Sequence, residues 1–259
     1  MQKPSLRFST TALLLAAIFI LPNSGLAQTK AQKIDALMTK FHEYGQFNGA
    51  VLVAENGKVI FKKGYGLANM EWNIPNMPET KFRLGSITKQ FTAMLILQLA
   101  EQGKLKLDGK IADYLPDYPR STGEKVTIHH LLTHTSGIPS YTGFPQFSSE
   151  MSRDPYAPAA FVKTFSDSAL QFEPGAKFSY NNSGYFLLGV IIEKVAGKSY
   201  EQALQENILQ PLNMQNTGYD YHSPIINRRA NGYEKRPGGY VNERRRLSTA
   251  GHEKSQKSD

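Results

Sequence analysis

Residues 82–92 read FRLGSITKQFT, and apolar side chains recur at helical spacing from there onward. This period predicts a helix rather than a strand. Because Ile96 and Leu97 extend the apolar surface almost all round, we expect the helix to be buried. Ser86 and Lys89 lie three residues apart at its start, so their side chains share one face.

Ser86 and Lys89 are the residue types of a nucleophile and its base. A serine hydroxyl is a weak nucleophile at neutral pH and needs a partner that takes its proton. A lysine can do so once burial or neighbouring positive charge favours its neutral form. The backbone N–H groups at the helix start, including that of Ser86, can stabilise a developing oxyanion. The alternative is a solvated lysine on an ordinary helix, since this spacing also occurs by chance.

A second candidate group, Tyr180-Asn181-Asn182, follows the loop signal Glu173-Pro174-Gly175. Loops on rigid supports often hold catalytic groups. A tyrosine beside an ammonium group can shuttle a proton, and an amide can bond both a lysine and a substrate carbonyl. The alternative is a half-buried tyrosine and a helix-capping asparagine, and the same pattern recurs at Tyr240-Val241-Asn242.

Turn and capping residues divide the rest of the chain into short elements. Asn56-Gly57 separates two apolar runs and predicts a β-hairpin. A lone hairpin is marginal, so further strands are expected to join it. Three helices are predicted from their capping residues: Thr127 for a helix through Leu132, Ser183 for one from Gly184 to Ala196, and Ser199 with Gln202 for one to about Leu209.

The net charge of +8 is concentrated at the end of the chain, because residues 228–259 hold nine Lys or Arg against four Asp or Glu. A nucleic-acid surface should instead lie within the folded part, interleaved with aromatic residues. The sequence therefore predicts no nucleic-acid partner. The polar, basic segment 234–259 is predicted to be a disordered tail.

None of the six histidines has metal-ligand spacing with a carboxylate, and cysteine is absent. We therefore expect no metal and no other cofactor. His134 follows the helix that ends at Leu132, and we interpret it as structural, an imidazolium that complements the helix dipole.

Residues 1–27 have the order of a secretory signal peptide, with Lys3 and Arg7, an apolar stretch and small residues up to Ala27. The apolar run is shorter than the roughly 20 residues of a membrane-spanning helix, which is the alternative reading. The sequence predicts cleavage after Ala27, export to the periplasm or the exterior, and no membrane span in the mature chain.

Taken in order, residues 82–92, 131–137 and 178–185 resemble the serine β-lactamase-related family, which includes class C β-lactamases, D-Ala-D-Ala carboxypeptidases and esterases. The resemblance extends over residues 34–233. It implies an α+β fold of the β-lactamase/transpeptidase kind, in which an antiparallel sheet is flanked by helices and accompanied by a helical subdomain.

The same resemblance implies a role for each matching residue. Ser86 corresponds to the acylated nucleophile and Lys89 to its partner, while Tyr180 with Asn182 corresponds to the second catalytic element. The substrate it implies is a small molecule or a fragment derived from peptidoglycan.

The family's third element, a Lys-Thr/Ser-Gly or His-x-Gly strand that supplies part of the oxyanion hole, has no match in this sequence. The resemblance therefore implies an incomplete sheet and a partial domain over residues 28–233. Our hypothesis is that a frameshift or a premature stop replaced the last third of the domain. Reading the downstream DNA in the other two frames tests it, since no such motif in any frame would refute it.

Two functions remain open. One is a hydrolase that forms an acyl-enzyme with β-lactams, D-Ala peptides or esters, and the sequence does not choose among these substrates. The other is an impaired remnant, or a penicillin-binding-type protein that keeps the serine pocket without turnover. A basic nucleic-acid binder is the least favoured reading, and it predicts strongly salt-dependent DNA binding.

Overall fold

The computed structural model describes residues 28–147, 156–220 and 224–242. They fall into two compact units, one formed by the described residues up to Leu67 with Pro75–Pro78, the other by Ala68–Ile74 and the residues from Glu79 onward. The predicted signal peptide lies outside the described residues. Within the described ranges, no helix is both long enough and apolar enough to cross a membrane.

The first unit contains a helix, α1 (Lys30–Glu43), which Thr29 caps by accepting a hydrogen bond from a backbone N–H of the first turn. Asp35 on this helix accepts hydrogen bonds from Lys63 Nζ and Tyr65 Oη, both at 2.7 Å. Lys63 and Tyr65 belong to the hairpin that follows, so these two bonds join helix and hairpin within the unit.

The hairpin of the first unit consists of β1 (Gly49–Glu55) and β2 (Lys58–Tyr65), which pair antiparallel. The connecting residues Asn56 and Gly57 have φ angles of 50° and 75°. Two consecutive left-handed residues match the twist of the flanking strands in a two-residue turn. The hairpin predicted from Asn56-Gly57 is confirmed.

The second unit is mainly helical. Its helices are α2 (Thr88–Glu101), α3 (Ile111–Tyr114), α4 (Arg120–Gly123), α5 (Ile128–Leu132), α6 (Pro158–Ser166), α7 (Asn182–Ala196) and α8 (Tyr200–Leu204). Further single turns are the 3-10 turns Gly85–Ile87 and Tyr141–Gly143 and the π-helical turn Gln205–Leu209, which continues α8.

The remaining strands are short. β3 (Leu67–Asn69) pairs with β4 (Ile74–Pro75), and β5 (Tyr233–Arg236) pairs antiparallel with β6 (Gly239–Asn242). Each sheet among the described residues has two strands, so the expectation that further strands join the β1–β2 hairpin is wrong for this part of the chain. The fold is therefore α+β, as predicted, with its antiparallel strands in small separate sheets.

α7 is the central helix of the second unit and packs against α2, α5, α6 and α8. Its side chains Leu187, Leu188, Ile191 and Ile192 are fully buried. Burying an aliphatic side chain of this size is worth about 1.5–3 kcal/mol. The helix ends at Ala196, and Gly197 follows it with a φ of 65°, the left-handed conformation of a glycine C-cap.

Two of the three predicted N-caps are confirmed. The side chains of Thr127 and Ser199 each accept a hydrogen bond of 3.2 Å from the backbone N–H three residues later, and each belongs to a capping box. These bonds satisfy backbone donors that the first turn of a helix leaves unpaired.

α2 is less buried than its sequence predicted. Leu95, Ile96 and Leu99 lie in the core, whereas Met94 and Leu97 are 49% and 45% exposed. The apolar residues run all round the helix, but among the described elements its packing partners are α7, α8 and the turns next to them. The prediction that this helix is buried is therefore confirmed for one face and wrong for the other.

The two faces of α2 predict different costs for neighbouring truncations. Ile96→Ala should lower the free energy of unfolding by about 2–5 kcal/mol, because it removes fully buried methyl groups and leaves a cavity. Leu97→Ala, one residue further on the exposed face, should change it by roughly 0.5 kcal/mol or less. Urea denaturation measures both values, and equal losses would contradict the assignment of the buried face.

Residues 233–242 form the β5–β6 hairpin, although the sequence predicted disorder from residue 234. That prediction is wrong for these residues. Gly238 and Gly239 have φ angles of 95° and 134°, which the turn requires and glycine adopts without steric cost. Tyr233 Oη accepts a hydrogen bond of 2.8 Å from the Met70 backbone N–H, which ties the hairpin to the rest of the unit. Residues 243–259 lie outside the described residues.

Candidate active site

Ser86 lies in the 3-10 turn Gly85–Ile87, directly before α2. Gly85 has a φ of 53°, a left-handed conformation that glycine reaches without a Cβ clash. The chain therefore enters the helix by a sharp turn, and Ser86 is exposed at its start. A substrate can reach the hydroxyl from solvent.

The segment before Ser86 is held by residues from far along the chain. Lys81 forms a parallel β-bridge with Arg229. Asp220 accepts one hydrogen bond from Arg83 Nε at 2.6 Å and another from Arg229 Nη1 at 2.7 Å. One carboxylate thus joins the two segments. Sequence reasoning missed Asp220, because its pairing with an arginine 137 residues away leaves no local pattern.

Two of the predicted side chains contact the Ser86 hydroxyl. Tyr180 Oη donates a hydrogen bond to Ser86 Oγ at 2.7 Å, and Lys89 Nζ donates one to the same oxygen at 3.2 Å. Lys89 Nζ also lies 4.9 Å from the centroid of the Tyr180 ring, within the range of a cation–π interaction. A hydroxyl with two titratable partners in hydrogen-bond reach has the geometry of an activated nucleophile.

Asn182 links Lys89 to a neighbouring loop. Its Oδ1 accepts a hydrogen bond from Lys89 Nζ at 2.8 Å, and its Nδ2 donates one to Thr142 Oγ1 at 3.1 Å. Its backbone N–H donates to Ser140 Oγ at 3.2 Å. The lysine can only donate, so the amide oxygen must face it. Sequence reasoning missed Thr142 and Ser140, because small hydroxyl residues in a loop carry no distinguishing signal.

The start of α7 differs from the prediction. Asn181, not Ser183, is the N-cap, and its Oδ1 accepts a hydrogen bond of 2.7 Å from the Gly184 backbone N–H. Ser183 is fully buried inside the first turn, where its hydroxyl donates to the Pro139 carbonyl at 2.7 Å. That long-range bond removes Ser183 from the capping position, and the helix begins at Asn182.

Tyr180 is half exposed, and its surroundings change its acidity. Burial raises the pKa of the Tyr180 phenol, but hydrogen bonds with Lys89 and Ser86 and the positive charge of Lys89 outweigh burial, so the pKa lies below its ordinary value of 10.0. The phenolate is therefore formed more readily than in a free tyrosine, as a group that accepts a proton requires.

His134 lies beside Tyr180 after the end of α5. Its Nδ1 accepts a hydrogen bond of 3.0 Å from the Asn181 backbone N–H, so this nitrogen carries no proton. Burial and the positive charge of Lys89 lower the pKa of His134 below 6.5. The ring is neutral at neutral pH, and the interpretation of His134 as an imidazolium that complements the helix dipole is wrong.

The second Tyr-x-Asn pattern lies on β6, which pairs with β5. In the part of the chain that the structure describes, no three His, Asp or Glu side chains come close enough to share a metal ion.

The family model described as Beta-lactamase matches residues 31–252. Penicillin-binding protein 4* of Bacillus subtilis (strain 168) is 37% identical over 194 residues, which are 74% of this chain and 42% of that protein. The chain thus spans less than half the length of the curated relatives that it matches.

Solved structures agree with the sequence match. A penicillin binding protein from Bacillus halodurans superimposes with a TM-score of 0.72 and 31% identity, covering 83% of this chain and 67% of that one. EstCE1, described as a hydrolase with promiscuous acyltransferase activity, gives a TM-score of 0.72 and 26% identity over 83% of this chain and 59% of that one. The match extends over most of the chain, which therefore belongs to the beta-lactamase family and has the β-lactamase/transpeptidase-like fold.

Proposed function

We propose that this chain is a serine hydrolase that forms an acyl-enzyme on Ser86. The observation that carries the proposal is the pair of hydrogen bonds on Ser86 Oγ, 2.7 Å from Tyr180 and 3.2 Å from Lys89. A family that contains β-lactamases and esterases supports it.

In the proposed reaction the Tyr180 phenolate takes the proton of Ser86 while Oγ attacks the carbonyl carbon of the substrate. The tetrahedral oxyanion collapses, the bond to the leaving group breaks, and the leaving group receives the proton from Tyr180. Water then attacks the acyl-serine, again giving its proton to Tyr180, and the carboxylic acid product leaves as Ser86 regains its hydrogen. Two-step transfer of this kind replaces one difficult step by two easier ones.

Lys89 has a supporting role in this mechanism. The sequence assigned the base to Lys89, but the shorter distance and the lowered pKa of Tyr180 favour the Tyr180 phenolate as the proton acceptor. Lys89 Nζ, aimed by Asn182 Oδ1 at 2.8 Å, stabilises the phenolate by its charge. In this mechanism the backbone N–H of Ser86, in the turn that precedes α2, donates to the oxyanion with help from the helix dipole.

The proposed substrates are β-lactams, D-Ala peptides and simple esters, which share a carbonyl carbon bonded to a leaving group. The relatives named penicillin-binding protein support β-lactams and D-Ala peptides. EstCE1, the hydrolase with promiscuous acyltransferase activity, supports simple esters.

The second candidate function is a penicillin-binding-type protein, or an impaired remnant, that is acylated without turnover. The relatives named penicillin-binding protein support it.

Hydrolysis of p-nitrophenyl acetate and of a chromogenic cephalosporin by the mature chain tests the proposal. A hydrolase should release a burst of product equal to the protein concentration and then continue at a steady rate, the kinetic sign of an acyl-enzyme. A burst without continued release supports the second candidate. The absence of both a burst and steady release with either compound from folded protein would refute both.

Export is also part of the proposal. The order of charge, apolar stretch and small residues at the N-terminus supports removal of residues 1–27. Intact mass of protein recovered from a secreting bacterial host should correspond to a chain that begins at Gln28. Full-length protein retained in the cytoplasm would contradict it.

A further inference from the structure

His134 has a backbone conformation that is unusual for a residue with a Cβ atom. Its φ is 59°, in the left-handed region, where a residue with a Cβ meets its own carbonyl group. Glycine or asparagine usually occupies such a position after a helix. Strain of this kind persists only where the surroundings enforce it, and it is a reason to look for a function.

Two hydrogen bonds connect His134 to the backbone on both sides of Tyr180. The His134 carbonyl accepts one from the Ser179 N–H at 2.8 Å, and Nδ1 accepts another from the Asn181 N–H at 3.0 Å. The left-handed backbone of His134 therefore places one carbonyl and one ring nitrogen so that the tripeptide around Tyr180 is fixed at both ends.

The His134 ring also packs on the Tyr180 ring itself. The ring centroids lie 4.6 Å apart with an angle of 38° between the planes, and the Tyr185 ring lies 4.9 Å away at 34°. The backbone contacts fix the position of the Tyr180 backbone, and the ring contact fixes the direction in which its phenol points. That direction ends at Ser86 Oγ.

The titratable groups that face His134 are Lys89 from α2, Tyr180 from the loop and Tyr185 from α7. A proton on Nδ1 would replace an acceptor by a donor opposite the Asn181 N–H. It would also bring a second positive charge towards Lys89. Both changes oppose the observed arrangement, so the contacts of His134 require a neutral ring.

We propose that neutral His134 is a positioning residue for the acylation of Ser86, because its bonds to Ser179 and Asn181 and its ring contact hold Tyr180 on the nucleophile. Protonation of His134 releases Tyr180 and slows acylation. The inference rests on the proposed function of the site.

The direction of the pH effect follows from the surroundings of the ring. Burial first, and then the charge of Lys89, lower the pKa of His134 in the folded chain below 6.5. Well above pH 6.5 the ring is neutral in the folded and the unfolded chain alike. As the pH falls below that value the unfolded chain binds the proton first, so both the fold and the positioning of Tyr180 are weakened on the acid side.

Three variants separate the role of Nδ1 from backbone strain. His134→Asn places Oδ1, which is bonded to Cγ as Nδ1 is, where it can accept the Asn181 N–H, and asparagine tolerates the left-handed region. His134→Gly removes the strain together with the acceptor and the ring. His130→Asn is the matched control, because His130 Nδ1 accepts the Thr127 N–H at 3.2 Å and burial lowers the pKa of His130, but its bond belongs to the cap of α5.

The measurement is the second-order rate constant for labelling of the mature chain by a fluorophosphonate, followed by intact mass from pH 5 to pH 9. Far-UV circular dichroism confirms that each variant is folded. His134→Gly should react about a hundredfold more slowly than the wild type, the cost of a small misplacement of a reacting group. His134→Asn should recover most of the rate above pH 7.

The acid side distinguishes a positioning role from a merely structural one. Below pH 6.5 the rate constants of the wild type and of His130→Asn should fall more steeply with decreasing pH, because His134 binds one additional proton. His134→Asn should lack this additional fall. Equal rates for the wild type and His134→Gly would overturn the inference, and so would His134→Asn that is as slow as His134→Gly. A folded wild type that is not labelled would instead refute the proposed function.

Discussion

Replacing Ser86 with alanine should abolish the burst of p-nitrophenol and lower the steady rate by about 10⁶-fold, the loss seen when a nucleophile that works with a base is removed. Alanine has no oxygen that can form an ester, so water would have to attack the substrate directly. Ser86 is exposed, and its partners Tyr180 and Lys89 are not buried. The variant should therefore fold normally and lose activity alone.

The matched control is Ser121→Ala on α4, where the serine is likewise exposed. It should keep both the burst and the steady rate. A burst that survives in Ser86→Ala would show that another residue is acylated, and it would contradict the proposed site.

Tyr180→Phe is expected to lower the rate of acylation by roughly 10²–10⁴, the usual contribution of a positioned acid or base. Phenylalanine keeps the ring that packs on His134 at 4.6 Å and lies under Lys89 Nζ at 4.9 Å. It removes only the hydroxyl that is bonded to Ser86 Oγ. Intact mass against time gives the rate constant.

The pH profile of the same variant shows whether Tyr180 takes the proton of Ser86. The wild-type rate should rise with pH as the Tyr180 phenol loses its proton, and it should level off at a pH below 10.0, since the pKa of Tyr180 is lowered. In Tyr180→Phe this rise should be absent. A variant with the wild-type profile would show that Tyr180 does not take the proton.

Tyr185→Phe is the matched control for Tyr180→Phe. Tyr185 also packs on His134, but its hydroxyl donates to the Leu132 carbonyl at 3.0 Å. Its removal should cost about 1 kcal/mol of stability, typical of one hydrogen bond, and leave the rate of acylation nearly unchanged.

The elements that the sequence predicted well are those whose signals are local. The turn at Asn56-Gly57 needs only two residues that accept positive φ, and the caps at Thr127 and Ser199 need only a side chain that bonds within its own helix. The spacing of Ser86 and Lys89 is also local, since one helical turn brings both side chains to the same face.

The features that the sequence did not predict depend on contacts between distant segments. Asp220 accepts a hydrogen bond from an arginine 137 residues away, and the Ser183 hydroxyl donates to the Pro139 carbonyl instead of capping α7. Neither contact leaves a signal in the sequence around the residue. The hairpin at 233–242 was missed because its polar composition resembles that of disordered chains, while Tyr233 supplies its anchor through Met70.

His134 illustrates the same limit within the site. A histidine after a helix has a ready explanation in the helix dipole, and that explanation assigns it a positive charge. In the structure its Nδ1 accepts a hydrogen bond from a backbone N–H, and Lys89 lies near the ring, so the neutral form is favoured. The charge of the residue follows from contacts that the sequence does not contain.

We propose Ser86 as the nucleophile, and mapping a covalent adduct identifies the acylated residue. The folded mature chain is treated with a fluorophosphonate, digested and analysed by tandem mass spectrometry. We expect one adduct per chain, equal in mass to the reagent less hydrogen fluoride and located on Ser86. An adduct on any other residue, or an unmodified folded chain after exhaustive treatment, would contradict it.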